Sequence, residues 1–218
     1  SRSGTMQVRH VEIQGNDLIS DDELKDMCSL EAGEQMQRID LRAMYKSLHV
    51  NPFLEEVHMH KAFPGKLILK IREKDPVVLL NVEGELFCMD EEGLILPSRP
   101  GRMYHLPVLT GSFKGGVTVG SRATGELLEK GLFLVKEIIR SRPALYNNIS
   151  EIVVSDPNNL IIYTNARGVP VRMGSGGFDY KVRCLQAILE KIEENNRNTE
   201  IEYIDLRYHG QVILGKRT

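Results

Sequence analysis

The stretch that decides the fold runs from Ala62 to Pro76 and reads AFPGKLILKIREKDP. Its Phe63-Pro64-Gly65 segment has the composition of a tight turn, because proline and glycine supply the backbone angles that turns require. Apolar and charged residues then alternate with the period of a half-buried strand, whose apolar face carries Leu67, Leu69 and Ile71. The charges from Arg72 to Asp75 raise the question of a catalytic cluster. Their order instead predicts the end of a strand before a junction at Pro76.

Upstream of this strand, the sequence predicts one strand followed by two short helices. Val11 and Ile13 alternate with polar residues, as in a half-buried strand. Ser20 and Glu23 have the spacing of a capping box, which predicts that a helix begins there. Asp40 is predicted to cap a second helix, whose apolar positions recur at helical spacing: Leu41, Met44, Tyr45 and Leu48.

A further strand completes the first part of the chain. Asn51-Pro52 ends the second helix, because the residue before a proline is driven out of the helical conformation. In the strand that follows, Val57 and Met59 share one face and His58 and His60 the other. The order β-α-α-β-β predicts a three-stranded sheet with two helices on one face.

Beyond Pro76, the sequence predicts a mixed sheet backed by helices, and an α+β fold for the chain. Strands are predicted over residues 77–82 and 85–89, with a turn at Glu92-Gly93 and another strand after it. The segment His105 to Gly111 contains Pro107 and is predicted to be an extended connection. Helices are predicted from Thr124 to Arg140 and from Phe178 to Glu194. The other predicted strands lie in ISEIVVSDPNNLIIYT, ARGVPVRMG and IEYIDLRYHGQVILG, the last with a break near His209-Gly210.

Composition excludes several classes of protein. The 218 residues carry a net charge of −2, whereas a broad nucleic-acid footprint needs a basic excess. No apolar run approaches the roughly 20 residues of a membrane-spanning helix. The polar start, SRSGTMQ, resembles a cut edge, so we expect a soluble region whose parent protein is membrane-anchored upstream. The cysteines Cys28, Cys88 and Cys184 lack the spacing of a zinc site or a disulfide framework.

The sequence offers no convergent catalytic set, and we expect neither an enzyme nor a bound cofactor. His58 and His60 share a strand face but lack a third metal ligand of suitable spacing. Gly174 to Gly177 lacks the glycine and lysine spacing of a phosphate-binding loop. Turn, cap and strand-end roles account for Asp156, Asp179 and Asp205.

Several motifs carry a resemblance to a known family. An initial VEIQGN segment, an aspartate before the second helix, NPF after it and FPGKLILKIREKDPV resemble a POTRA domain. Phe63-Pro64, Glu73 and Pro76 are similar to the closing segment of that domain in the FtsQ/DivIB family of bacterial division proteins. The resemblance continues through Asp90, Gly93, LPVLTG at 106–111, Lys181 and Asp205-Leu206-Arg207-Tyr208. It spans Val8 to Leu214 and implies a POTRA domain at 8–75 and a β-domain at 76–215.

The resemblance implies a non-catalytic divisome scaffold that links early and late division proteins during septum formation. In this family the ectodomain binds FtsB, with FtsL, through the last strand of the β-domain. The resemblance also allows further division proteins as partners of the POTRA surface. It implies a single-pass inner-membrane protein with this region in the periplasm. Carried over to this chain, the partner-binding residues are Tyr208, Gly210, Gln211, Val212, Ile213 and Leu214.

Alternatives remain open at this point. The last strand could pair only within its own sheet, without recruiting a partner. A POTRA-containing module of an outer-membrane assembly or secretion protein is a second interpretation, although that class usually shows repeated POTRA domains or alternating barrel strands. A hydrolase with an unrecognised site is a third, and activity abolished by a single His or Asp substitution would identify it.

Overall fold

The chain divides between Asp75 and Pro76 into two units, each built from strands and helices. The structure is a computed structural model that describes residues 6–31, 33–98, 101–113, 116–165, 168–194 and 201–216. The predicted α+β class is confirmed.

The first unit has the predicted order of elements. Its strands and helices are β1 (His10–Gln14), α1 (Asp21–Met27), α2 (Leu41–His49), β2 (Leu54–Ala62) and β3 (Lys66–Glu73). The strand from the deciding stretch, β3, lies in the middle of a three-stranded sheet. It pairs parallel with β1 and antiparallel with β2. In the sequence, both helices therefore lie between β1 and β2, the two strands that flank β3 in the sheet.

The predicted helix caps form as the sequence indicates. The Ser20 hydroxyl accepts a hydrogen bond from the Glu23 amide, and the Glu23 carboxylate accepts from the Ser20 amide, which is a complete capping box. Asp40 accepts from the amides of Arg42 and Ala43 at the start of α2. The apolar faces of both helices join those of the strands in one core, which includes Leu24, Leu48, Leu67 and Leu69.

One residue predicted for the inner face of α2 lies outside it. Tyr45 is 44% exposed, and its ring stacks on His49 with the centroids 5.4 Å apart. Met44 and Leu48 are sufficient to bury the helix against the sheet, because they are one turn apart on the same side.

The charged end of the deciding stretch contains a buried group that the sequence did not reveal. Glu73 is the last residue of β3 and is only 4% exposed. Its carboxylate accepts hydrogen bonds from the backbone amides of Asp17, Leu18 and Ile19, at 2.8–3.1 Å. These amides lie in the connection between β1 and α1, so Glu73 fixes the path of that connection. Its neighbour Arg72 is exposed and pairs with Glu55 and Glu56.

The second unit contains one large mixed sheet. It begins with β4 (Val78–Val82), β5 (Glu85–Met89), β6 (Ile95–Leu96), β7 (Val108–Gly111), α3 (Glu126–Ser141) and α4 (Pro143–Tyr146). It continues with β8 (Ile149–Val154), β9 (Leu160–Thr164), β10 (Pro170–Gly174), α5 (Phe178–Glu194), β11 (Ile201–Asp205) and β12 (Ile213–Lys216). The sheet has the strand order β12-β11-β10-β9-β8-β7-β4-β5-β6.

The prediction for residues 105–111 is wrong in its second half. The segment predicted as a connection contains β7, an interior strand that pairs parallel with both β4 and β8. Pro107 does not prevent this, because it lies just before the strand, where its missing amide costs no ladder bond. Its carbonyl accepts a hydrogen bond from the Leu79 amide at 3.0 Å.

The core of the second unit lies on one face of this sheet. The inward residues of α3 and α5 pack with alternate residues of the strands, such as Ile152, Ile162 and Val171. The short helix α4 was not predicted; it begins with Pro143, whose fixed backbone angle suits the first position of a helix. The Tyr146 hydroxyl donates to the Val77 carbonyl at 2.5 Å, which ties α4 to the beginning of β4. Burial raises the pKa of Tyr146 to about 12.

We predict that Glu73→Gln lowers the free energy of unfolding of the first unit by about 2–3 kcal/mol, because a neutral amide replaces a charged, buried acceptor of three backbone donors. Denaturant unfolding measures the change. The control is Glu55→Gln, which removes a solvent-exposed ion pair with Arg72 and should change stability by less than about 1 kcal/mol. Equal effects of the two substitutions would contradict the role assigned to Glu73.

Candidate functional site

The end of the chain forms what we term the terminal hairpin: β11 (Ile201–Asp205), the connecting segment 206–212 and β12 (Ile213–Lys216). β11 pairs parallel with β10 on one side and antiparallel with β12 on the other. β12 is the last strand of the sheet, and within the part of the chain that the structure describes it pairs on one side only. Its outer edge therefore presents backbone donors and acceptors to which another strand can bond.

The structure places the six predicted partner-binding residues next to one another along the terminal hairpin. Only Ile213 and Leu214 belong to β12; the other four lie in the segment before it. Gly210 has a φ of 71°, a left-handed conformation that favours glycine, and the neighbouring Gln211 amide donates to the Tyr208 carbonyl at 3.3 Å. Large apolar side chains stand out from this segment, since 40–54% of the surface of each of Tyr208, Val212, Ile213 and Leu214 is exposed.

An aromatic ring from β11 lies against the backbone of β12. Tyr203 pairs with Gly215, at the point where the register of the two strands shifts. A methyl group built on Gly215 would overlap the Tyr203 ring, so the absence of a side chain lets the ring cover the strand. The guanidinium of Arg172, from β10, lies over the same ring, 4.8 Å from its centroid. This arrangement joins the last three strands across one face of the sheet.

Asp205, at the end of β11 in the terminal hairpin, pairs with two arginine side chains. Its side chain is 4% exposed, and its two oxygens accept from the Nε and Nη2 atoms of Arg207 at 2.6–3.1 Å. Arg172 Nη1 lies 3.8 Å from its Oδ2. Hydrogen bonds from Arg207 are the main cause that lowers the pKa of Asp205. The carboxylate therefore contributes stability above the ordinary pKa of an aspartate, and this contribution is lost only as the pH falls through the lowered value.

Lys181 approaches the same region from α5. Its ammonium donates to the Met173 carbonyl at 2.6 Å, where β10 ends, and the residue is buried. Burial lowers the pKa of Lys181, while the charge of Asp205 acts in the opposite direction. The glycine-rich turn before α5 has its Gly174 and Gly177 in the left-handed region, and the Lys181 and Arg207 side chains lie beside Gly174.

An aromatic contact that the sequence did not reveal links α5 to the terminal hairpin. The rings of Tyr180 and His209 lie 5.7 Å apart, and Tyr180 is 43% exposed. Helical periodicity places Tyr180 outside the inward face of α5, which identifies it as a surface residue but not as a neighbour of His209. The contact depends on where the connecting segment runs in three dimensions.

The groups considered for catalysis or metal binding do not converge. Among the described residues, no set of three or more His, Cys, Asp or Glu side chains is arranged to hold a metal ion. His58 lies 3.7 Å from Glu56 on the exposed face of β2. Asp156 accepts from the Asn158 amide in its turn, and Asp179 pairs with Arg183 one helical turn away. In the described ranges, no helix combines the length and apolarity needed to cross a bilayer.

The two units define a POTRA-containing protein with a large mixed-sheet domain. The family model described as POTRA domain, FtsQ-type, matches residues 6–74, and that described as Cell division protein FtsQ/DivIB, C-terminal, matches residues 71–207. The chain therefore belongs to the FtsQ/DivIB family of cell division proteins.

Two relatives found by sequence agree with this assignment. The chain is 28% identical to the cell division protein FtsQ of Geobacter sp. (strain M21), over 99% of this chain and 78% of that protein. It is 24% identical to the cell division protein DivIB of Clostridium botulinum (strain Hall, type A), over 95% of this chain and 80% of that protein. A solved structure of the major extracytoplasmic domain of DivIB from Geobacillus stearothermophilus shares 20% identity with a TM-score of 0.38, covering 56% of this chain and 97% of that one.

We predict that Gly215→Ala displaces the Tyr203 ring and lowers the free energy of unfolding of the second unit by about 1–2 kcal/mol, because the new methyl group overpacks the contact. Denaturant unfolding measures the cost, and the NMR signals of the Tyr203 ring report the displacement. Gly176→Ala is the matched control, since a methyl group there meets nothing within 4 Å. An undisturbed Tyr203 ring in Gly215→Ala would show that the packing is not as described.

Proposed function

We propose that this chain is the extracytoplasmic part of a non-catalytic division scaffold, which binds an FtsB-type protein, together with FtsL, at the terminal hairpin. The partner adds a strand to the outer edge of β12 and covers the apolar side chains around it. The binding residues are those that the resemblance implied: Tyr208, Gly210, Gln211, Val212, Ile213 and Leu214.

The observation that carries this proposal is a strand edge that pairs with no other described strand, combined with exposed apolar side chains. Backbone bonds to an edge strand supply affinity in β-augmentation, while side-chain contacts supply specificity. In β12, Ile213 and Leu214 are 41% and 40% exposed, and Tyr208 just before the strand is 54% exposed. Aromatic residues such as this tyrosine are enriched among the residues that dominate binding energy.

The wider role that we propose for the chain is the one that its family resemblance implies. We propose that residues 8–75 form the POTRA domain and residues 76–215 the β-domain, and that the parent protein is held in the inner membrane with this region in the periplasm. The POTRA surface would contact further division proteins, so that the scaffold links early and late division proteins. The family match over residues 71–207 supports a division role rather than one in outer-membrane assembly or secretion.

A direct titration tests the interface. The purified chain is titrated with a peptide that covers the periplasmic segment of the FtsB-type protein from the same genome. We predict that Tyr208→Ala weakens binding about tenfold or more, because it removes a large exposed anchor. A truncation after His209 removes β12 and should abolish binding. Isothermal calorimetry measures both affinities, and circular dichroism checks that the variants are folded.

The control variant is Tyr45→Ala, which removes a tyrosine of comparable exposure from α2 in the first unit. We expect its affinity for the peptide to equal that of the unaltered chain. Unchanged affinity in both Tyr208→Ala and the truncated chain would rule out binding at the terminal hairpin.

A further inference from the structure

Cations from three different elements meet at one buried carboxylate below the proposed interface. Arg207 follows β11, Arg172 lies in β10 and Lys181 lies in α5. Each interacts electrostatically with Asp205, and Arg207 forms the shortest contact, with Nη2 2.6 Å from Oδ2. A carboxylate that is 4% exposed is costly to bury unless it is paired and hydrogen-bonded, and here those conditions are met by groups that flank the terminal hairpin.

One series of contacts connects Asp205 to the segment before β12. Its Oδ1 accepts from the backbone amide of Arg207 at 3.0 Å as well as from the side chain, so both the chain direction and the guanidinium are fixed. The Leu206 amide donates to the Arg172 carbonyl at 2.9 Å, which extends the pairing of β10 and β11 by one bond. The Arg207 guanidinium then lies 5.7 Å from the centroid of the Tyr208 ring. Arg207 therefore contacts both the Asp205 carboxylate and the Tyr208 ring.

A second series of contacts connects Asp205 to β12 itself. Arg172 is held near Asp205 at 3.8 Å, and its guanidinium covers the Tyr203 ring at 4.8 Å. That ring packs against Gly215 in β12. One carboxylate is thus connected through side-chain contacts to the segment that carries Tyr208 and to β12, which pairs on one side only among the described residues. Asp205 itself has almost no exposed surface with which to touch a partner.

We propose that Asp205 is a positioning residue that holds Tyr208 and β12 in the arrangement that a partner strand recognises. This role rests on the proposed function, because it concerns the presentation of the same site. Ordering the segment before binding removes part of the entropy cost that a partner would otherwise have to overcome. Loss of the carboxylate charge leaves Arg207 and Arg172 without their common anion. The rings of Tyr208 and Tyr203, which these arginines contact, then become more mobile.

The test compares Asp205→Asn with Glu137→Gln. Both substitutions keep the size of a mostly buried carboxyl group and remove its charge, and Glu137 pairs with Arg140 on α3, outside the terminal hairpin. Binding of the FtsB-type peptide is measured by calorimetry. Hydrogen exchange of the backbone amides in residues 206–216 is measured on the free chain.

For Asp205→Asn we expect about tenfold weaker binding and about tenfold faster exchange within 206–216, with exchange in α3 and β8 unchanged. Glu137→Gln should leave both the affinity and the exchange of 206–216 as in the unaltered chain. Unaltered affinity and unaltered exchange in Asp205→Asn would overturn the proposal. Equal losses in the two variants would also overturn it, because the effect would then be general destabilisation.

A second variant keeps the proposal testable if Asp205→Asn does not fold. Arg207→Lys retains the positive charge but loses the planar fork that bonds both oxygens of Asp205, so exchange in 206–216 should still accelerate. Exchange unaltered in Arg207→Lys would overturn the proposal. If the unaltered chain does not bind the peptide, the proposed function fails, whereas the exchange comparison still decides whether Asp205 orders the terminal hairpin.

Discussion

Both units depend on the same kind of interaction. A buried carboxylate at the end of a strand accepts hydrogen bonds from backbone amides, either of the residues that follow it or of a connection elsewhere in the unit. Glu73 ends β3 and accepts from amides of the connection between β1 and α1. Asp90 follows β5 and accepts from the amides of Glu92 and Leu94 at 2.9 and 2.8 Å. Asp205 ends β11 and accepts from the Arg207 amide. These three carboxylates are only 3–4% exposed. Asp90 and Asp205 each fix the turn that follows their own strand, whereas Glu73 fixes the connection between β1 and α1.

Local patterns predicted much of the fold because they act over a few residues. The alternation in β3 and the caps at Ser20 and Asp40 are correct in the structure. The strand β7 was missed because its four residues follow a proline and its two partners are distant in the sequence. Burial of Glu73 was missed for a similar reason: its donors lie more than fifty residues earlier, and the sequence around it shows only a run of charges.

The candidate site was only partly predictable. A C-terminal strand is often an edge, and the sequence indicated an apolar segment there, which the structure places at the edge of the sheet. The interactions that shape it could not be inferred. Arg172 reaches Tyr203 because β10 and β11 are parallel neighbours separated in sequence by α5. The position of Tyr180 beside His209 likewise depends on how the connecting segment folds back.

The pairing of β11 with β10 also has a consequence for synthesis of the chain. β11 can take its place only after α5 has crossed from the end of β10, and β12 can take its place only after β11. Among the described strands of this sheet, β12 is therefore the last to be synthesised, and it completes the surface that we propose binds a partner. A chain that stops early, or whose sheet is misassembled, lacks that edge. Recruitment into a larger assembly through this edge would then select for chains in which the sheet has been completed as far as β12 and correctly folded.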